Sequence, residues 1–181
     1  MASAAESVRR YSRFFRNSDV RTVLDYGAGT LRNTRFLANQ GFSVYAADIP
    51  EQIERIIRLS SAIPLAGVLE AEELDHAALD VDLVVSTYVL NIIPEGTEKW
   101  RYLKNIELNI RPGGYLLIEV RCRREDGSCG STCAHRMTCP GCVKTYSHGE
   151  LDRLVTPFGF RRMSHYYRKH ALAVIYRKED A

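Results

Sequence analysis

The sequence predicts an α/β fold whose sheet begins parallel and ends antiparallel. Three observations predict it. Apolar runs of five or six residues alternate with helical patterns through the first two thirds of the chain. A glycine turn sits where the first run passes into a helix. Two strand-like runs near the C-terminus are joined by a link too short for a crossover, which forces a hairpin.

The elements follow in order. The first 17 or so residues, from "MASAAESVRRYSRFF", spread their charges as an amphipathic helix does and contain no apolar signal core. The strand runs are "TVLDYG" (22–27), "SVYAAD" (43–48), "IPLAGV" (63–68), "DLVVST" (82–87) and "YLLIEV" (115–120). Between them helices are expected over 32–40, closed by Gly41, and over 50–60, opened by Pro50, whose missing N–H is harmless in a first turn. A short turn follows near 71–79, and a longer helix over 95–110 is closed by "RPGG". Beyond the fifth run comes a cysteine-rich segment, then a helix near 147–157 ending at "PFGF", then the paired runs 160–168 and 171–177.

At 181 residues the chain is expected to form one domain, 1–181, with residues 122–146 as a cysteine-rich insertion within it. A hydrophobic share of 45% and a charged share of 26% belong to a globular chain, and no apolar run approaches the roughly 18 residues a membrane span needs. A cytoplasmic location is expected, without membrane partners, so the thiols should be reduced or metal-bound rather than disulfide-paired. The net charge of +3 is too small to diagnose a nucleic-acid binder. Basic residues cluster in "VRRYSRFFR", "RCRRE" and "FGFRRMSHYYRKH", which read first as solvated faces.

"VLDYGAGTLRN" (23–33) puts Gly27 and Gly29 at the strand-to-helix turn. Glycines there let backbone approach a ligand, and the helix N-terminus offers unpaired N–H groups. Asp48, nineteen residues after Gly29 at the end of the second run, can accept both hydroxyls of a ribose. A nucleoside-containing cofactor is therefore expected. A nicotinamide dinucleotide would want a third glycine at position 32, which is Arg32. The bland alternative is a structural turn with no ligand.

"DYGAG", "AADIP", "VDLVVSTYVLNIIP" and "RPGGYLLIEV", in that order, resemble the class I S-adenosylmethionine-dependent methyltransferases over roughly residues 20–180, the cysteine segment excepted. The resemblance implies a Rossmann-like, seven-stranded, mostly parallel sheet with an antiparallel last strand and helices on both faces. It implies that Asp25, Gly27 and Gly29 surround the methionine moiety of S-adenosyl-L-methionine and that Asp48 holds the ribose. Ile49, Leu69 and Glu70 would flank the adenine, and Ser86, Thr87 and Tyr88 would line the cofactor's other side. One departure stands out: the family's third glycine falls at Leu31, a bulkier residue beside the methionine tail.

In an open α/β sheet ligands bind outside the carboxyl ends of the strands, where Tyr88, Asn91 and Arg121 fall. These three are the candidate catalytic residues for a methyl transfer, a displacement that needs mainly alignment and exclusion of water. Asn91 suits either a polar atom of the substrate or a loop carbonyl, and Arg121 either an anionic substrate or plain surface. The segment "STYV" (86–89) lacks the tetrapeptide of amino-directed DNA methyltransferases, which disfavours base methylation of that kind.

The thiols are spaced Cys129-x3-Cys133-x5-Cys139-x2-Cys142, with Cys122, His135 and His148 nearby. Two close pairs, one on a "CPGC" turn, suit a tetrahedral zinc site. Free or redox-active thiols, an iron–sulfur cluster and disulfides are the alternatives. Because the segment leaves the fifth strand's carboxyl end, it is expected to roof the substrate pocket. There its thiolates could instead grip a soft metalloid, a logic that resembles arsenite and tellurite methyltransferases. The function expected is an S-adenosylmethionine-dependent methyltransferase for a small molecule or metalloid, with a zinc-stabilised lid. The alternatives are an RNA or DNA methyltransferase and a non-catalytic S-adenosylmethionine-binding protein.

Overall fold

The computed structural model describes residues 3–122 and 144–180. Its elements are α1 (Glu6–Asn17), β1 (Thr22–Tyr26), α2 (Arg32–Asn39), β2 (Ser43–Asp48), α3 (Pro50–Ser60), β3 (Gly67–Glu70), α4 (Leu74–Ala77), β4 (Val81–Thr87), α5 (Thr97–Asn109), β5 (Ile110–Arg121), α6 (His148–Val155), a 3₁₀ turn (Thr156–Phe158), β6 (Phe160–Arg168) and β7 (Ala171–Lys178). No helix among the described residues is long and apolar enough to cross a membrane.

The seven strands form one sheet in the order β3-β2-β1-β4-β5-β7-β6. The first five pair in parallel, and β7 runs antiparallel to both its neighbours. The expected α/β class, seven strands and antiparallel last strand are all present. Because both faces are covered, the central strands read as continuous apolar runs rather than alternating ones. Val23, Leu83, Val85 and Leu117 pack under α1 and α2, while Leu24, Val84, Leu116 and Ile118 pack under α4, α5 and α6. The chain order reverses between β1 and β4, the switch point at which open α/β sheets bind ligands.

Two boundaries differ from the sequence reading. The third strand is Gly67–Glu70, later than 63–68, because Pro64 has no N–H for the ladder and Ile63 and Leu65 sink into a cluster with Leu31, Ala46 and Ile56. The fifth strand starts at Ile110, five residues earlier than expected. Ile110 pairs with Val81, the register shifts, and pairing resumes at Tyr115 opposite Leu83. "RPGG" therefore fills a bulge within the strand. A Cβ at Gly114 would lie 2.8 Å from Ile110 Cγ1 and 3.1 Å from the Asp82 carbonyl oxygen, so only glycine fits that position.

Candidate active site

The glycine turn closes tightly on β2. The Gly27 and Ala28 N–H groups both donate to the Ala47 carbonyl, at 2.8 and 3.1 Å. Gly27 has φ +91°, and a Cβ there would stand 2.2 Å from Val89 Cγ2, so glycine is required twice over. The departure at position 31 is resolved in the backbone. Leu31 adopts φ +58°, ψ +24°, the left-handed conformation a glycine takes without strain. Its side chain is fully buried against Ala28, Ala46, Ile56 and Ile63, so the extra bulk goes into the core.

Two carboxylates flank this turn. Asp48 accepts from the Gly29 and Ile49 N–H groups, each at 2.8 Å, which fixes the turn and leaves further lone pairs for other donors. Asp25 is 1% exposed. Its Oδ2 accepts from Thr34 Oγ1 at 2.5 Å, while its Oδ1 has no partner among the described residues. Burial pushes its pKa from 3.8 up to about 6, opposed by hydrogen bonding from Thr34 and assisted by the nearby Asp48 carboxylate. An orphaned acceptor in so dry a place is costly unless a ligand supplies its donor.

On one side of the turn a cavity of about 210 Å³ is lined by Tyr26, Ile49, Ala71, Ile93, Tyr102 and Asn105. Ile49 is 51% exposed at its mouth. Leu69 and Glu70 end β3 immediately before Ala71, which lines the cavity. Ser86 is buried and accepts from Tyr102 Oη at 2.8 Å, and the Tyr102 ring stacks on Tyr26 with centroids 4.2 Å apart. Thr87 Oγ1 accepts from Asn33 Nδ2 at 2.9 Å, and Asn33 Oδ1 accepts from the Ala5 N–H at 2.9 Å. The hydroxyls of Ser86 and Thr87 thus tie β4 to α5, α2 and the start of α1.

On the other side a cavity of about 350 Å³ opens beneath the start of α1. Tyr88, Glu119, Arg121, Arg32 and Tyr166 line it. Tyr88 has φ +61°, rare for an aromatic residue, and both of its polar groups go to one partner. Its N–H donates to the Glu119 carbonyl at 2.7 Å, and its Oη donates to Glu119 Oε1 at 2.5 Å. Glu119 is 3% exposed, and its Oε2 accepts from the Ser7 N–H at 3.0 Å. Burial, reinforced by the Glu119 carboxylate, holds the Tyr88 phenol well above its usual pKa. The Arg32 guanidinium lies 5.8 Å from the Tyr88 ring centroid.

Asn91 lies outside this lining. It is buried, its Nδ2 donates to the Lys144 carbonyl, and its Oδ1 accepts from the Arg121 N–H at 3.1 Å. The structure therefore brings Tyr88 and Arg121 together and gives Asn91 to the backbone around them. Below it Lys99, buried within α5, donates to Tyr146 Oη at 2.7 Å and to Glu95 at 2.8 Å. Cys129, Cys133, Cys139 and Cys142 lie outside the described residues; Cys122, within them, is disulfide-bonded, which corrects the expectation of reduced or metal-bound thiols at that position. Among the described residues no group of three His, Cys, Asp or Glu side chains is arranged to hold a metal ion.

Glu119 was not among the residues singled out from sequence. Its signal is a lone carboxylate inside the apolar run "YLLIEV", where a charged residue is rarely buried without a partner.

A family model described as a methyltransferase domain matches residues 3–166. Curated relatives named as uncharacterized methyltransferases of Mycobacterium bovis and Mycobacterium tuberculosis are 32% identical over 108 residues, which is 58% of this chain and 42% of theirs. The chain thus spans well under half the length of these relatives. Among solved structures, a Burkholderia thailandensis 1,6-didemethyltoxoflavin-N1-methyltransferase aligns over 97% of this chain and 79% of its own, with TM-score 0.71 and 23% identity. Human N-acetylserotonin methyltransferase, in complex with SAM, aligns over 97% of this chain and 52% of its own, with TM-score 0.75 and 20% identity. These two likenesses are of fold.

Proposed function

The chain belongs to the methyltransferase domain family, and we propose that it is an S-adenosylmethionine-dependent methyltransferase acting on a small molecule. The observation that carries this reading is the convergence at the β1/β4 switch point of an orphaned Asp25 oxygen, a glycine turn and a second carboxylate with free lone pairs. That donor set fits the cofactor. Asp25 would accept from the ammonium of its methionine end, Gly27 and Gly29 leave room for close backbone approach, and Asp48 would accept from the ribose hydroxyls. The cavity at Ile49 suits the flat adenine, with Leu69 and Glu70 beyond it. When bound, S-adenosylmethionine supplies an electrophilic methyl group.

The 350 Å³ cavity is the acceptor site in this reading, with Tyr88 and Arg121 facing the acceptor and Asn91 positioning the segment that carries Arg121. An open concave site of that size suits a small molecule. The acceptors named for the two solved neighbours, 1,6-didemethyltoxoflavin and N-acetylserotonin, are small molecules too.

A zinc-stabilised lid built by Cys129, Cys133, Cys139 and Cys142 belongs to the same proposal and rests on their spacing. The stretches that border them support its position. The Cys122 N–H bonds the His170 carbonyl, the Tyr146 N–H the Arg121 carbonyl and the Lys144 N–H the Asn91 carbonyl, each at 3.0 Å, and of these residues Arg121 and His170 line the acceptor cavity. Elemental analysis should find close to one zinc per chain; metal-free, fully active protein rejects the lid.

Calorimetric titration with S-adenosylmethionine tests the central reading. Asp48→Ala should weaken binding by about 1.5–3 kcal/mol, roughly 10- to 150-fold. Unchanged affinity in a folded variant removes the ribose assignment.

A further inference from the structure

We propose that the cavity beneath α1 takes a small anionic acceptor whose nucleophilic oxygen or nitrogen still carries its proton, with Arg32 and Arg121 holding the anion and the pair formed by Tyr88 and Glu119 removing the proton. This rests on the methyl-transfer reading above and specifies the acceptor and a catalytic pair for it.

The charge distribution gives the first half. Arg32, Arg121, Arg168 and Lys169 line the cavity against two carboxylates, Glu6 and Glu119. Arg168 is paired with Glu6, and Glu119 is engaged by Tyr88 and Ser7. Arg32 and Arg121 have no carboxylate partner among the described residues. Arg32 borders the cavity from α2 and Arg121 from the end of β5. Two guanidinium forks on a cavity of this size match a single carboxylate or phosphate better than they match a neutral solute.

The pair supplies the second half. Glu119 is a buried carboxylate with one oxygen on a backbone N–H and the other on a phenol that faces the cavity. Tyr88 is held in left-handed backbone geometry by that same residue, and strain of this kind clusters where side-chain placement matters for chemistry. Since burial opposes ionisation of the phenol, Tyr88 acts as a relay. A lone pair of Tyr88 Oη accepts the acceptor's proton while its own proton moves to Glu119 Oε1. Meanwhile the acceptor's oxygen or nitrogen bonds the methyl carbon, and the carbon–sulfur electron pair stays with sulfur. The positive charge that leaves the sulfonium is matched by the proton gained at Glu119, which later returns to water. A hydroxyl or N–H acceptor needs such a sink for its proton.

The charged and titratable groups facing the pair are Arg32 of α2, Glu6 of α1, Arg121 of β5, Tyr166 and Arg168 of β6, and Lys169 and His170 in the hairpin link. From β7, Ala173 lies opposite Glu119 and contributes no charge.

The test uses the full chain with matched small acceptors: hydroxybenzoates and aliphatic hydroxy acids, each beside its uncharged carboxamide. Binding is measured by calorimetry with S-adenosylhomocysteine present, and turnover by S-adenosylhomocysteine release. At least one acid should bind about tenfold or more tightly than its amide, a difference that Arg121→Gln or Arg32→Gln erases. Glu119→Gln keeps one acceptor oxygen for the Ser7 N–H but turns an amide NH2, which cannot take a proton, toward Tyr88 Oη, and should lower kcat with little change in KM. Tyr88→Phe should do the same, and it carries the test if Glu119→Gln does not fold. Amides bound as well as acids, absence of binding by every acid at millimolar concentration, or an unchanged kcat in the variants would overturn the proposal. A chain that binds S-adenosylmethionine yet prefers neutral acceptors loses this inference alone, whereas one that binds no S-adenosylmethionine loses the underlying reading.

Discussion

Leu31→Gly installs the residue the family carries at that turn, and the structure says the exchange will harm this chain. Three effects compete. The Leu31 side chain is 0% exposed, in a cluster with Ala28, Ala46, Ile56 and Ile63. Emptying such a site costs about 3–5 kcal/mol in transfer and cavity terms. Glycine adds about 0.5–1 kcal/mol of backbone entropy in the unfolded chain. Against these, the left-handed geometry at φ +58° is relieved, which returns about 1–2 kcal/mol. The cavity dominates, so the net change is a destabilisation of about 3 kcal/mol. Urea denaturation followed by circular dichroism would read it as a lowered midpoint with an unchanged slope. Affinity for S-adenosylhomocysteine in the folded variant should stay within about threefold of the parent, because the lost atoms face the core. A variant as stable as the parent, or one that gains more than about tenfold in cofactor affinity, would show that Leu31 obstructs the site instead of packing beneath it.

Asp25 predicts an unusual pH dependence. Its pKa in the folded chain is raised to about 6 from 3.8, so between these values the native state holds more protons than the unfolded one. Stability should therefore fall as pH rises from about 4 through 6, by about 3 kcal/mol relative to Asp25→Asn at full burial, measured by urea midpoints across that range. Binding of the cationic S-adenosylmethionine needs the ionised form, so its affinity should drop below about pH 6 and its binding should release a proton there, which calorimetry in buffers of different ionisation enthalpy detects. Asn91→Ala should cost about 1–3 kcal/mol of stability by stranding the Lys144 carbonyl and the Arg121 N–H, with cofactor affinity unchanged and acceptor KM raised.

The parallel part of the sheet was legible because its strands are short apolar runs punctuated by Gly27, Gly41 and Pro50, signals that act locally. The hairpin was legible from a link of two residues. Register was harder. "IPLAGV" is apolar throughout, and nothing local says that Ile63 and Leu65 belong under α3 while the ladder waits for Gly67 opposite Tyr45. "RPGG" reads as a stop, yet its glycines make the bulge through which β5 enters the sheet. In the candidate site, Gly27, Gly29 and Asp48 stood out because their spacing along the chain carries a signal, and Asp25 through the resemblance. Glu119 and Arg32 did not, because they reach the cavity from strands and helices far apart in sequence, and only the order β1-β4-β5 brings them together. Asn91 was readable as polar and near the strand end, but its engagement with Lys144 depends on chain more than fifty residues away.

The most direct test of the central claim is where S-adenosylhomocysteine binds on the full chain, read from the amide proton–nitrogen correlation spectrum during a titration. The account predicts saturable shifts at Gly27, Gly29, Asp48 and Ile49, the amides of the turn and of the carboxylate that closes it, with the outer strand β6 undisturbed. Saturation of binding without movement of those four amides, or no binding at millimolar ligand, would contradict it.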